Sequence, residues 1–222
     1  MPKKIDWDNV LNKAWLYTKV FFATSIICII AYTFGTFNPN KVSTKKANAD
    51  LEKYYLNKIK DLDLREPEFT YNNDIQFVRA MHKCIDYINF TTPRMNRVPY
   101  EMVVAQAALE SGWGTSRFAT EGNALFGVRT WDDKVPQMKP LGIPNAKFGV
   151  KKYKTKCQSV ADVIDILNRH PAYEEFRVER TKQLNSGVIN YSKLVNGLKA
   201  WSTNDQYSII ILDKIKSLNA KK

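Results

Sequence analysis

Apolar residues along this chain follow two different patterns. From Val20 to Asn40 there is no charged residue, and Val20 to Phe37 is apolar nearly all round, with Phe21, Phe22, Ile26, Ile27, Ile29 and Ile30 in close succession. A helix needs roughly 20 such residues to cross a bilayer. Trp15 and Tyr17 precede the run at the place where aromatic residues meet the membrane interface. The pattern predicts one transmembrane helix over 20–37, because a core helix of a globular domain carries a polar face that this run lacks.

From Asp74 onward the apolar residues recur at helical spacing. Ile75, Val78, Met81, Cys84, Ile85 and Ile88 predict one amphipathic helix. Pro99 suits the first turn of the next, which runs to Glu110 and is rich in alanine. Val128 to Thr155, with Pro136, Pro140, Pro144 and several glycines, reads as an irregular lobe with short strands such as Lys147 to Tyr153. Ser159 is the expected N-cap of a helix over Val160 to Asn168. Pro171 breaks the chain before a short helix through Glu174 to Val178. Gly187 to Lys199 and Asn204 to Leu218 are the last two helices, the final one burying Ile209, Ile210, Leu212, Ile215 and Leu218. The expected fold is mainly α. Residues 1–19 form an N-terminal segment, 20–37 a signal-anchor, 38–73 a polar tether and 74–222 the globular domain; the lysines on both flanks of the run do not set its orientation. The tether carries a helix around Leu51 to Leu62, which Glu66-Pro67-Glu68 stops.

The chain has 222 residues and a formal net charge of +12, with a local cluster at Lys147, Lys151, Lys152, Lys154 and Lys156. Such a balance suits an anionic surface. No nucleic acid is expected as a partner: zinc-finger spacing, an RNA-recognition signature and an arginine-rich arm are all missing. Cys84 and Cys157 could pair in an oxidising compartment, although their separation does not specify a bond. His82 and His170 are the only histidines, neither in ligand spacing, so no metal and no cofactor is expected.

The chemistry concentrates in Ala105-Gln106-Ala107-Ala108-Leu109-Glu110-Ser111-Gly112-Trp113-Gly114. A helix reaching Gly112 stops there, since glycine favours the left-handed conformation that ends helices. Glu110 therefore sits in the last turn, where the helix dipole disfavours a carboxylate. Apolar neighbours push its pKa in the same direction by desolvation. A carboxyl held protonated near neutral pH is what an acid catalyst of glycosidic cleavage requires.

That run resembles the signature of the bacterial cell-wall glucosaminidases of glycoside hydrolase family 73, and of their Bax-type branch most closely. Gly122-Asn123-Ala124-Leu125-Phe126-Gly127-Val128 is similar to the family's Asn-x-x-Phe-Gly element, and Asn168-Arg169-His170-Pro171-Ala172-Tyr173 to its later helix junction. The resemblance covers about Asp74 to Leu218. It implies a lysozyme-like helical domain with a small β lobe and a groove for glycan. It implies hydrolysis of the β-1,4 bond between N-acetylglucosamine and N-acetylmuramic acid, with Glu110 as the catalytic acid. Peptidoglycan strands are then the substrate. That substrate implies a domain facing the periplasm or cell wall, on a single-pass anchor in the inner membrane with residues 1–19 as a cytoplasmic segment. Lys41, Lys45 and Lys46 separate the apolar run from the small-residue site Ala47-Asn48-Ala49, which favours an uncleaved anchor.

Two departures from the family pattern stand out. Val128 to Thr155 contains no glutamate, only Asp132 and Asp133, where several members carry a second one. Trp201-Ser202-Thr203, followed by Tyr207, replaces a Tyr-x-Thr segment. Either aspartate could activate water, or the substrate's acetamido group could attack in place of a protein group. Ser111, Trp113, Asn123, Phe126, Trp201 and Tyr207 are the candidate substrate-binding residues; the rings among them are equally at home in a core. A lytic transglycosylase and a non-catalytic glycan-binding module are the alternatives.

Overall fold

The computed structural model describes residues 7–37, 41–143 and 145–220. It divides into two compact units, Met1–Tyr54 and Tyr55–Lys222. The first unit holds α1 (Trp7–Phe37) and most of α2 (Lys41–Lys60). Helix α1 starts well before the apolar run and extends it to a 28-residue stretch, Trp7–Phe34, long and apolar enough to cross a membrane. The hydroxyls of Thr18, Thr24, Ser25 and Thr33 bond within the helix: Thr18 donates to the Ala14 carbonyl and Ser25 to that of Phe21, each at 2.8 Å. An apolar medium offers such groups no other partner. Helix α2 is longer than the helix expected around Leu51.

The second unit is helical with one small sheet. Helix α3 (Asp74–Thr91) starts at Asn73, whose side chain accepts the Gln76 N–H at 2.9 Å. It buries Phe77, Met81, Cys84 and Ile85, whereas Ile75, expected on that face, is 57% exposed. Helix α4 (Tyr100–Ser111) runs through the middle, with every residue from Met102 to Ala108 buried. Helix α5 (Arg117–Gly122) leads into the lobe: β1 (Arg129–Thr130), β2 (Gln137–Met138) and β3 (Gly149–Lys151), all antiparallel in the order β1-β3-β2. Thr130 faces Gly149, and Met138 faces Val150. Gly149 is required there because any side chain would run into Gln137.

Helix α6 (Lys156–Arg169) begins four residues earlier than expected. Thr155 caps it by accepting the Gln158 N–H at 3.2 Å. Ser159 is buried one turn inside, donating to the Lys156 carbonyl at 2.8 Å. Helix α7 (Glu174–Ser186) outruns its expected end at Val178 and stops at Gly187, φ 72°. Helix α8 (Tyr191–Asn196) is shorter than expected, because Asn190 caps its start and a 3-10 turn, Lys199–Trp201, follows it. Helix α9 (Tyr207–Asn219) buries Tyr207, Ile211, Ile215 and Leu218, spaced by a helical period. Ile209 and Ile210, expected inside, are 54% and 39% exposed.

The core joins α3, α4, α6, α7, α8 and α9. A Cys84–Cys157 disulfide ties α3 to α6, with the two Cα atoms 5.3 Å apart. The packed body reaches back beyond Asp74. Phe69 and Tyr71 lie against the core, their rings edge-on to Phe77 at 5.7 and 5.3 Å.

Candidate active site

The turn that ends α4 is built by its glycines. Gly112 adopts φ 57° and returns its N–H to the Ala108 carbonyl; Trp113 and Gly114 follow at φ 58° and 78°. A side chain at Gly114 would collide with the Tyr71 hydroxyl, which donates to the Gly114 carbonyl at 2.7 Å. Ser111 staples the turn from inside: its hydroxyl donates to the Ala107 carbonyl at 2.6 Å and accepts the Gly114 N–H at 2.7 Å. Glu110 is thus fixed at the last turn of a buried helix with its side chain open to a groove.

Two donors converge on one oxygen of its carboxyl. The Trp201 indole N–H and the Tyr207 hydroxyl each donate to Glu110 Oε1 at 3.1 Å. Gln106, wholly buried one turn earlier on α4, donates from Nε2 to the Tyr207 oxygen at 3.2 Å. That bond occupies an acceptor position on the phenol and leaves its single proton for Glu110. Burial raises the Glu110 pKa above the ordinary carboxyl value, and the bonds from Tyr207 and Trp201 pull it part of the way back. Burial, then the charge of Glu110, raises the Tyr207 pKa further from neutrality, so it stays a phenol.

The groove has a volume of about 730 Å³. Glu110, Ile166, Tyr173 and Trp201 line its helical side. Val128, Arg129 and Trp131 line the lobe side, and His170 and Lys199 also border it. Among the described residues lining it, Glu110 is the one carboxylate. Asp132 and Asp133 do not border it: Asp132 caps its own turn through the Lys134 N–H at 2.9 Å, and Asp133 lies 3.9 Å from the Lys139 ammonium.

The structure thus brings Glu110, Trp201 and Tyr207 into direct contact and sets Phe126, 3% exposed, in the groove floor. Ser111, Trp113 and Asn123 lie elsewhere. Ser111 is buried in the turn. Trp113 packs edge-on to Phe77 at 5.9 Å and lines a separate cavity of about 460 Å³ beside α3. Asn123 donates to the Tyr153 and Lys154 carbonyls, each at 3.1 Å, and holds the lobe to α5.

Arg129, Trp131, His170, Tyr173 and Lys199 are groove residues that the sequence reading did not single out. Arg129 and Trp131 had a signal, the alternation about Thr130 in a strand. His170 and Tyr173 lie in the helix junction that carries part of the family resemblance. Lys199 has no signal of its own.

Residues 92–220 match a family described as glucosaminidase, mannosyl-glycoprotein endo-beta-N-acetylglucosaminidase. The chain is 31% identical over 116 residues to protein bax of Escherichia coli K12, covering 52% of this chain and 40% of that protein. It is 33% identical over 90 residues to the peptidoglycan hydrolase FlgJ of Escherichia coli O157:H7, covering 34% of this chain and 28% of FlgJ. It therefore spans less than half the length of these two relatives. The catalytic domain of the autolysin Auto from Listeria monocytogenes shares the fold, with a TM-score of 0.51 and 20% identity over 74% of this chain and 94% of that domain.

Proposed function

The chain belongs to the glucosaminidase family, glycoside hydrolase family 73, and from that premise we propose that it is a membrane-anchored peptidoglycan hydrolase cutting the β-1,4 bond between N-acetylglucosamine and N-acetylmuramic acid. Glu110 is the general acid. The observation that carries this is the position of Glu110: the one carboxylate among the described groove-lining residues, with both protein donors on Oε1. In the protonated group Oε1 is occupied as an acceptor, so the proton rides on Oε2 and is free to be delivered.

The reaction follows from that arrangement. The Oε2 proton passes to the glycosidic oxygen as the C1–O bond breaks through an oxocarbenium-like state. The acetamido carbonyl oxygen of the same N-acetylglucosamine ring closes onto C1. Water then opens this ring at C1, giving its proton back to the Glu110 carboxylate. No protein nucleophile is needed, in keeping with the absence of a second carboxylate from the described groove wall. Trp201 and Tyr207 stabilise the carboxylate formed midway, and Gln106 holds the Tyr207 hydroxyl in the productive orientation.

Digestion of purified peptidoglycan by the full chain in detergent, beside Glu110→Gln, tests this. New reducing N-acetylglucosamine ends, lost in the variant, are the expected result. Anhydromuramic ends would mean a lytic transglycosylase. Wall binding without cleavage by folded protein would mean a glycan-binding module. The fresh anomer read by NMR should be β, retained; an α product would return the second role to water activated by a carboxylate such as Asp132 or Asp133.

Helix α1 fits a membrane anchor and a signal sequence alike; the peptidoglycan substrate is what favours an anchor in the inner membrane with the domain outside. The mass of the protein recovered from membranes decides: an intact N-terminus means an anchor, a start after Ala49 means cleavage.

A further inference from the structure

The lobe side of the groove carries a feature that acid catalysis does not use. Arg129 on β1 and Trp131 just past its end flank the buried Thr130, and both border the groove. Trp131 is 67% exposed, far more than a ring of its size that belongs to a core. Phe148 supports both residues: the Trp131 ring lies 6.2 Å from it at a 47° tilt, and the Arg129 guanidinium sits 4.7 Å over it. Lys199 borders the same groove from the 3-10 turn before Trp201. No carboxylate pairs with Arg129 or Lys199 among the described residues. The groove therefore offers an exposed aromatic face and two free cations against a single carboxyl, Glu110.

An aromatic face takes the apolar C–H side of a pyranose ring. Two unpaired cations beside it select for a negative group on that ring or its substituent. We propose that Arg129, Trp131 and Lys199 form a subsite for a sugar ring bearing an ionised carboxylate, in peptidoglycan the muramoyl ring. This rests on the glucosaminidase reading and adds to it the charge of the preferred substrate. The carboxylate has two sources with the same chemistry. It is the lactyl group itself once the stem peptide has been removed, or an acid of the stem peptide where that remains. In the first case the reaction that supplies the substrate is amide hydrolysis at the lactyl carbonyl.

Binding separates this proposal from the catalytic one. The full chain carrying Glu110→Gln is titrated with three probes: glycan strands stripped of peptide, the same strands with lactyl carboxylates capped as methylamides, and strands with stem peptides intact. Charged strands should bind about tenfold more tightly than capped ones, the scale of two exposed ion pairs. Raised salt should shrink the difference. Arg129→Gln with Lys199→Gln should bring the ratio to about twofold or less. Trp131→Ala should weaken all three probes by roughly fivefold to tenfold, as loss of a stacking face does. Tighter binding of stripped strands identifies the lactyl group, tighter binding of intact strands the stem peptide, and either supports the subsite. Equal affinity for charged and capped strands overturns it. If the unmutated chain cleaves none of the three while the charge preference holds, the catalytic reading fails and the subsite stands. Cleavage without charge preference gives the reverse. Both polar variants are at exposed positions, so unfolding does not obscure the result.

Discussion

The two walls of the groove are built by different means. The helical wall rests on α4, buried without a break from Met102 to Ala108, and on α9, whose Tyr207 reaches Glu110 from a buried position. The lobe wall rests on strands of two or three residues. It is held by polar ties: Asn123 to the Tyr153 and Lys154 carbonyls, and Asp162 of α6 to the Tyr153 hydroxyl at 2.6 Å and the Lys151 ammonium at 3.0 Å. A proton donor needs a fixed position before the substrate arrives, and close-packed helices supply that. A surface that grips sugar and charge tolerates a shallower foundation. Chemistry therefore sits on the helical wall, and two of the three residues proposed for selection, Arg129 and Trp131, sit on the lobe.

Substitutions should divide along that line. Glu110→Gln on the helical wall should have the largest effect, a loss of about 10²–10⁴ in kcat/KM, the range of a positioned general acid. A lobe substitution that matched this loss would break the division. Next comes the Cys84–Cys157 bond, which spans 73 residues and ties α3 to α6. The double serine variant should lose about 2–4 kcal/mol of unfolding free energy, read from the urea midpoint. Tyr207→Phe removes one bond to the carboxyl and orphans Gln106. Loss of about tenfold in kcat is expected, with little change in KM, since about 1.4 kcal/mol corresponds to one such bond.

Smaller effects sharpen the comparison. Burial raises the Glu110 pKa while the bonds from Tyr207 and Trp201 lower it. Activity requires the protonated acid, so kcat/KM falls as pH rises through that pKa. Trp201→Phe deletes a donor that favours the carboxylate, so the falling limb of the pH profile should move to higher pH. Movement to lower pH would show that the indole acts on Glu110 in some other way. Asp132→Asn and Asp133→Asn, lobe changes outside the groove wall, should alter kcat by less than about twofold, as exposed surface substitutions do. A large loss at either would give the lobe a direct part in the chemistry.

Of the helices from α3 to α9, all but the short α5 were legible in the hydrophobic spacing, the prolines and the glycines, and so was the lobe before α6. Their faces were less so. In α9 the sequence offers Ile209, Ile210, Leu212, Ile215 and Leu218 as one apolar face, and the buried stripe is Tyr207, Ile211, Ile215 and Leu218. Ile209, Ile210, Ile211 and Leu212 are consecutive and so point to every side of the helix, and composition cannot choose the face. In α6 both Thr155 and Ser159 are good caps, and burial of Ser159 against the Leu125 N–H selects Thr155.

The end of α4 shows the same boundary within the site. Gly112 after an apolar run determines, by local chain geometry alone, that the helix stops and that Glu110 lies in its last turn. No local rule brings Trp201 and Tyr207, 91 and 97 residues later, onto one oxygen of that carboxyl. Nor does a local rule send Trp113, three residues from Glu110, into a different cavity. Backbone conformation is a short-range property and can be read from the sequence. The convergence of side chains depends on how the buried faces of α4 and α9 pack, and only the tertiary structure decided that.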